Sequence, residues 1–148
     1  MKILALNKRA RYDYEILETF EAGLALYGFE VKSVKNGHLS LQGAYVVIKG
    51  EEAYLLNATI SPYQSKNTPS DYEPTRSRKL LLHKKEIKYL IGKSQEKGLT
   101  LVPIQVYTKK DKIKLEFGVG RGKRKTDKRE LIKKREARRE IERKIKEI

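Results

Sequence analysis

Apolar and polar residues alternate along several short stretches of this chain, and a few other stretches repeat apolar residues at the spacing of a helix. Tyr12, Tyr14 and Ile16 alternate with Arg11, Asp13 and Glu15, which predicts a half-buried strand after the basic opening Asn7-Lys-Arg-Ala-Arg11. Phe20, Leu24 and Tyr27 then fall on one side of a predicted helix from Leu17 to Tyr27, with Gly28 placed to cap it. Phe29, Val31 and Ser33 alternate with Glu30 and Lys32 as a second strand, leading to an Asn36-Gly37 turn. Two β-branched and aromatic runs, Tyr45 to Lys49 and Tyr54 to Ile60, read as a hairpin through Lys49-Gly-Glu-Glu52.

Periodicity disappears from Ser61 to Arg78, where Pro62, Pro69 and Pro74 accumulate, so this segment reads as a long exposed loop. A helix is predicted over His83 to Lys97, with Ile87, Leu90, Ile91 and Ser94 on one face and a stop at Gly98. Leu99 to Thr108 is the longest apolar β run. Ile113, Leu115, Phe117 and Val119 alternate with Lys112, Lys114 and Glu116, and Lys109-Lys-Asp111 closes a hairpin between the two. Short strands with few helices and no βαβ alternation predict a mainly β fold. The expected form is a small antiparallel barrel of the oligonucleotide-binding (OB) type over residues 1–120, with two to three short helices. A basic tail, 121–148, is expected to be disordered in isolation, because Ala137, Ile141, Ile145 and Ile148 form too thin an apolar stripe to hold a charged helix.

Charge sharpens that picture. From Gly118 to Ile148 there are fourteen Lys/Arg against six Asp/Glu, a net +8 of the chain's +15. A second excess lies on the predicted barrel, at Lys8, Arg9, Arg11, Lys32, Lys35, Arg76, Arg78, Lys79, Lys112 and Lys114. Two basic regions point to a polyanion as partner. Tyr12, Tyr14, Tyr45 and Tyr72 offer rings for stacking unpaired bases, or fill the barrel with their hydroxyls at its rim. No apolar run is long enough to cross a membrane, and the Met1-Lys-Ile-Leu-Ala-Leu start is too short for a signal-peptide core, so a cytoplasmic protein is expected. Zero cysteines exclude disulfides and thiolate zinc sites, and His38 and His83 are the only imidazoles, so no metal and no cofactor is expected.

Catalytic patterns are weak beside these. Glu15, Glu18 and Glu21 read as a solvated helix face, and His83 as an ordinary residue at a helix start. Gly118-x-Gly-x-Gly122 lacks the helix-opening spacing and the lysine-hydroxyl pair of a phosphate loop, and reads as a flexible exit from the barrel.

Five blocks carry a resemblance: Asn7-Lys-Arg-Ala-Arg11, Phe20-Glu-Ala-Gly-Leu24, Glu30-Val-Lys-Ser33, Pro74-Thr-Arg-Ser-Arg-Lys-Leu-Leu-Leu82, and Gly122-Lys-Arg with Asp127-Lys-Arg129. In this order they resemble the bacterial family of tmRNA-binding small protein B, the SsrA-binding proteins. The resemblance implies a non-enzymatic, monomeric RNA carrier. It would bind the tRNA-like domain of tmRNA (SsrA RNA) and bring it to stalled ribosomes for trans-translation, with elongation factor Tu and alanyl-tRNA synthetase reached through the RNA. It implies tmRNA contacts or support at Asn7, Glu21, Gly23, Leu81 and Lys114, beside the basic candidates Lys8, Arg9, Arg11, Lys32, Arg76, Arg78 and Lys79. For the decoding centre and mRNA channel it implies Gly122, Lys123, Arg124, Asp127, Lys128 and Arg129. Thr126 stands where many relatives place His or Tyr, and Ala137 where they often place Trp. A ribosomal component that binds rRNA through barrel and tail alike is the alternative.

Overall fold

The computed structural model describes residues 1–64, 66, 68–123, 135, 136 and 139. In chain order the elements are β1 (Lys2–Leu6), α1 (Ala10–Asp13), β2 (Tyr14–Leu24), α2 (Gly28–Lys35), β3 (Leu39–Ser40), β4 (Tyr45–Lys49), β5 (Glu52–Leu56), β6 (Thr59–Ile60), β7 (Arg78–Leu81), α3 (Lys84–Gln95), β8 (Leu99–Lys109) and β9 (Lys112–Gly122). The main sheet runs β1-β8-β4-β5-β7-β2-β9, and β9 pairs again with β8, closing six of its strands into a ring, while β1 pairs with β8 on the edge that also meets β4. The expected mainly β architecture with short helices is what forms.

The β8–β9 hairpin is the longest regular unit. Lys110 and Asp111, at φ 51° and 64°, make a tight turn whose twist suits paired strands. On β9 the inward set is Leu115, Phe117 and Val119, all buried against Leu101 and Val106 of β8, Leu55 of β5, Leu80 of β7 and Ala22 of β2. Leu90 of α3 and Val34 of α2 complete this core. Outside the ring, Ala10, Val102 and Ile104 form a second, smaller cluster with Tyr14 and Ile16 packed on it.

Several predicted elements change type. Residues 17–24 are strand, not helix: β2 runs antiparallel to β9 from Tyr14 opposite Gly122 to Gly23 opposite Lys114. Phe20, Leu24 and Tyr27 do sit at helical spacing, but pairing along nearly all of β9 outweighs that local preference. The predicted strand at Phe29 to Ser33 is helix α2, started by the Tyr27 N–H donating to Glu30 Oε1 at 2.9 Å. Strand β1 and the four-residue α1 had no predicted counterpart. β7 begins at Arg78, where the loop was expected still to run.

The Gly118-x-Gly-x-Gly122 run is part of β9, not a flexible exit. A Cβ at Gly118 would lie 2.7 Å from Ile16 Cγ2 and 3.0 Å from the Glu18 carbonyl oxygen, and one at Gly120 3.1 Å from Tyr14 Cβ. These glycines admit the outer cluster to the strand surface. Gly122 has nothing within 4 Å of such an atom.

A buried ion network ties α2 to the segment before β7. Glu30 and Arg78 have no exposed side-chain surface. Arg78 Nη2 donates to Glu30 Oε2 at 2.7 Å and to the Pro74 carbonyl at 2.8 Å, and Nη1 donates to the Ala58 carbonyl at 2.6 Å. Arg76 donates to Glu30 Oε1 and lies 4.0 Å over the Tyr27 ring, and the Tyr72 hydroxyl donates to Glu30 Oε2 at 2.8 Å. Burial on its own would raise the Glu30 carboxyl, but the bonds from Arg76, the Tyr27 N–H, Arg78 and Tyr72 outweigh it and hold it down at about 2. Burial, then the bond to Glu30, pushes the Tyr72 hydroxyl up to about 12.

Gly118→Ala should destabilise the protein by about 1–3 kcal/mol through overpacking, read from urea unfolding midpoints, while Gly122→Ala should leave the midpoint nearly unmoved. Glu30→Gln should cost about 3–5 kcal/mol by leaving Arg78 buried without its counter-charge. Because the folded Glu30 carboxyl titrates below its ordinary 4.5, its contribution is complete above pH 4.5 and is lost as pH falls toward 2. Stability of the parent should therefore decline more steeply across that acid window than stability of Glu30→Gln.

Candidate nucleic-acid interface

β2, β7 and β9 run side by side in the ring, and residues two apart on one strand share a face. Gly23 of β2 sits between Leu81 of β7 and Lys114 of β9, so three candidate residues far apart in the chain become direct neighbours on the outer face. Together with Leu24, Leu26, Val31, Ile113 and Lys112 they line a cleft of about 350 Å³. Leu81 is 54% exposed, an unusual state for a leucine in a strand whose neighbour Leu80 is buried. A side chain at position 23 would press on Leu81, its Cβ lying 3.2 Å from Leu81 Cβ, so glycine keeps the cleft open.

Glu21 lies two residues before Gly23 on the same face. Its carboxylate accepts a hydrogen bond from the Tyr107 hydroxyl and lies 3.4 Å from Lys109 Nζ. The Tyr107 bond is the main reason its acidity is increased, with Lys109 and Lys114 adding to it and slight burial opposing. Burial, then Glu21, raises the Tyr107 hydroxyl. The face thus offers an ionised acceptor, a cation and an exposed apolar side chain: acceptor for a base or 2′-hydroxyl, partner for a phosphate, and surface for a base or sugar. Lys32 is exposed on α2, the helix that contributes Val31 to the cleft. Lys79 is exposed on β7 but paired with Glu52 at 2.9 Å.

The basic opening forms a second region. Asn7 holds the turn in place, its Nδ2 donating to the Pro103 carbonyl at 2.8 Å and its N–H to the Ile104 carbonyl at 2.8 Å. Those carbonyls fall at a β-bulge in β8, where a proline inside a strand is tolerated. With Asn7 fixed, Lys8, Arg9 and Arg11 are exposed. Arg9 pairs with Asp13 at 3.1 Å and lies 4.7 Å over Tyr12. This turn, the 39–45 segment and β8 border a cleft of about 690 Å³ that includes the exposed ring of Tyr45.

Not every basic or aromatic candidate reaches the surface. Arg78 is a structural residue with its donors used inside the protein, and Arg76 is committed to Glu30 and Tyr27. Tyr72 belongs to the same network, and Tyr14 packs on the outer cluster. Glu15, Glu18 and Glu21 lie on a strand, not on a helix, and Glu18 accepts from the Tyr89 hydroxyl at 2.5 Å. His83 precedes α3, its N–H donating to Glu86 Oε1 at 3.2 Å, which is the ordinary helix-start role expected for it. Among the described residues no cluster of His, Asp and Glu has the arrangement of a metal site. Gly122 and Lys123 are at the end of β9, whereas Arg124, Thr126, Asp127, Lys128, Arg129 and Ala137 lie outside the described residues. Tyr107 went unnoticed in the sequence, since nothing local marks a tyrosine that orients a carboxylate 86 positions away.

A family model described as SmpB protein matches residues 4–147. The chain is 48% identical over 147 residues to the SsrA-binding protein of Thermosynechococcus vestitus, covering 99% of this chain and 97% of that one. It is 50% identical over 146 residues to the SsrA-binding protein of Shouchella clausii, covering 99% and 93%. A solved structure described as "tmRNA-SmpB: a journey to the center of the bacterial ribosome" contains a chain similar to it, with TM-score 0.67 and 45% identity over 86% of this chain and 92% of that chain.

Lys114→Ala and Arg78→Ala should have opposite signatures. The first should weaken binding to a folded RNA and reduce the slope of log K against log salt by about one phosphate's worth, with the melting curve little changed. The second should cost about 3–5 kcal/mol of stability by stranding Glu30. Titrations at several salt concentrations, together with thermal melts, read both.

Proposed function

The chain belongs to the SmpB protein family, and on that premise we propose how its parts divide the work. The protein binds tmRNA (SsrA RNA) and delivers it to stalled ribosomes for trans-translation. Its contact with the tRNA-like domain is made by the outer face of the ring, and the observation that carries this reading is the convergence of Gly23, Leu81 and Lys114 beside the Glu21 carboxylate. The group suits an irregular RNA fold: Lys114 takes backbone phosphate while Leu81 and Glu21 meet a base and its hydrogen-bonding edge.

The N-terminal turn with Lys8, Arg9 and Arg11 adds a second basic contact for tmRNA, and the basic segment from Gly122 onward forms the ribosome-facing part. Gly122, Lys123, Arg124, Asp127, Lys128 and Arg129 act in the decoding region, and the remaining tail follows the mRNA channel. No step in this role requires bond chemistry by the protein. It works as a cytoplasmic monomeric carrier, with elongation factor Tu and alanyl-tRNA synthetase meeting the RNA it holds.

Ending the chain after Lys123 keeps every paired residue of β9. Such a truncation should keep most of the affinity for the isolated tRNA-like domain, losing only the salt-sensitive attraction of the removed basic segment, and should abolish peptide tagging on stalled ribosomes. Equal loss of both activities would defeat the division of labour. Retention of the full chain in salt-washed ribosomal subunits, one copy each and without tmRNA, would favour the rRNA-binding alternative.

A further inference from the structure

The set of Glu21, Tyr107 and Lys109 on the outer face has a counterpart two strands away, on β5 and β7. There the Glu52 carboxylate accepts a hydrogen bond from the Tyr54 hydroxyl and another, at 2.9 Å, from Lys79 Nζ. The Tyr54 bond, then Lys79, increases the acidity of Glu52, so this carboxylate too is ionised and held in one orientation. Ala53 and Leu55 alternate with Glu52 and Tyr54 and are buried, which puts the latter two on the outside of the ring.

Strand register fixes where this second set lies. Gly23 pairs with both Leu81 and Lys114, and Lys114 pairs with Tyr107. One step past the Ala53–Leu80 pair, Glu52 falls beside Leu81 on the side away from Gly23. Glu52, Leu81, Gly23, Lys114 and Tyr107 thus form one row across five neighbouring strands. At about 4.8 Å per strand, Glu52 and Lys114 are roughly 14 Å apart, too far for one nucleobase to meet both. Lys49, opposite Glu52 on β4, is exposed and adds a cation at that end of the row.

The Glu52–Lys79 pair does little for the fold: its side chains are 45% and 47% exposed, and a pair so open to water contributes little stability. We propose that Glu52 is a specificity-determining residue of the RNA face: held by Tyr54 and Lys79, it extends that face from β7 onto β5 as a second oriented acceptor for a base edge or a 2′-hydroxyl. Lys79, already matched by a carboxylate, is then a positioning residue and not a phosphate contact. This rests on the reading above that the face carrying Lys114 meets the tRNA-like domain. The rival role for the three residues is a solvated surface cluster that takes no part in choosing the RNA.

Glu52→Gln in the full-length protein separates the two roles, with binding measured to the isolated tRNA-like domain and to an unrelated RNA hairpin of equal length. Removing one negative charge from a basic surface by itself tightens both RNAs alike. A specificity role gives opposite signs. The tRNA-like domain should be bound about tenfold more weakly, the worth of one hydrogen bond to a charged acceptor, and the hairpin at least as tightly as by the parent. Tyr54→Phe, which removes one donor and no charge, should lower the ratio of the two affinities in the same direction by a smaller factor. Lys79→Met should lower it without reducing the slope of log K against log salt. Thermal melts matching the parent show that each variant is folded.

An equal change for both RNAs in Glu52→Gln overturns the proposal, as does a full parental ratio in Tyr54→Phe. A salt slope reduced by about one in Lys79→Met makes Lys79 a phosphate contact and overturns its positioning role. If instead Lys114→Ala binds the tRNA-like domain as the parent does, the reading of the whole face fails, an outcome separate from the affinity ratios.

Discussion

The arrangement depends on one carboxylate. Glu30, without exposed surface, receives donors from Arg76, Arg78, Tyr72 and the Tyr27 N–H, and these come from α2's own start, the segment before β7 and β7 itself. A buried ion pair contributes little net stability compared with a well-packed apolar group, but it is intolerant of losing a partner. Its value here is geometric. α2 brings Val31 and β7 brings Leu81 to the same cleft, so the network sets the spacing of the proposed RNA face from behind while none of its charges lines that cleft. Among the described residues no buried side-chain nitrogen or oxygen lacks a partner, and so concentrated a polar cluster is sustainable only under that condition.

On the outer face the charges work differently. Glu21 lies opposite Glu116 across the β2–β9 pair, an unfavourable juxtaposition of like charges. The Tyr107 hydroxyl and Lys109 offset it for Glu21 and keep that carboxylate ionised. On the proposed RNA face a carboxylate repels phosphate nearby, so Glu21 would narrow the poses in which Lys114 is engaged and favour those that present a base edge or a 2′-hydroxyl to it. Attraction is supplied broadly by the lysines and arginines, and discrimination by a few oriented groups.

Much of this was legible in the residues, unevenly. α3 and the β8–β9 hairpin were clear because each is a long stretch whose own period matches its environment. Residues 17–24 and 29–33 were misassigned in opposite directions because both are short and carry apolar spacing compatible with either element; β2 is decided by β9, a hundred positions away. Arg78 looked like an RNA contact because a basic residue in a basic protein is ordinarily exposed, and only the fold reveals the acid beneath it. Gly23, Leu81 and Lys114 were identified by resemblance, and their adjacency on three neighbouring strands supplies a physical reason for grouping them. The glycines of β9 mislead most, since glycine suggests freedom where the outer cluster needs room for Ile16 and Tyr14.

The ring is closed by its last strand. β9 carries Leu115, Phe117 and Val119 into the centre of the core and joins β2 to β8 along almost its full length. The pairs it forms with β2 span about a hundred positions, and closing so long a loop is slow and unrewarded until the final contacts are made. A chain emerging from the ribosome therefore has no complete core until residue 122 has cleared the exit tunnel. The face shared by β7, β2 and β9 is thus completed by the strand of the ring that is synthesised last.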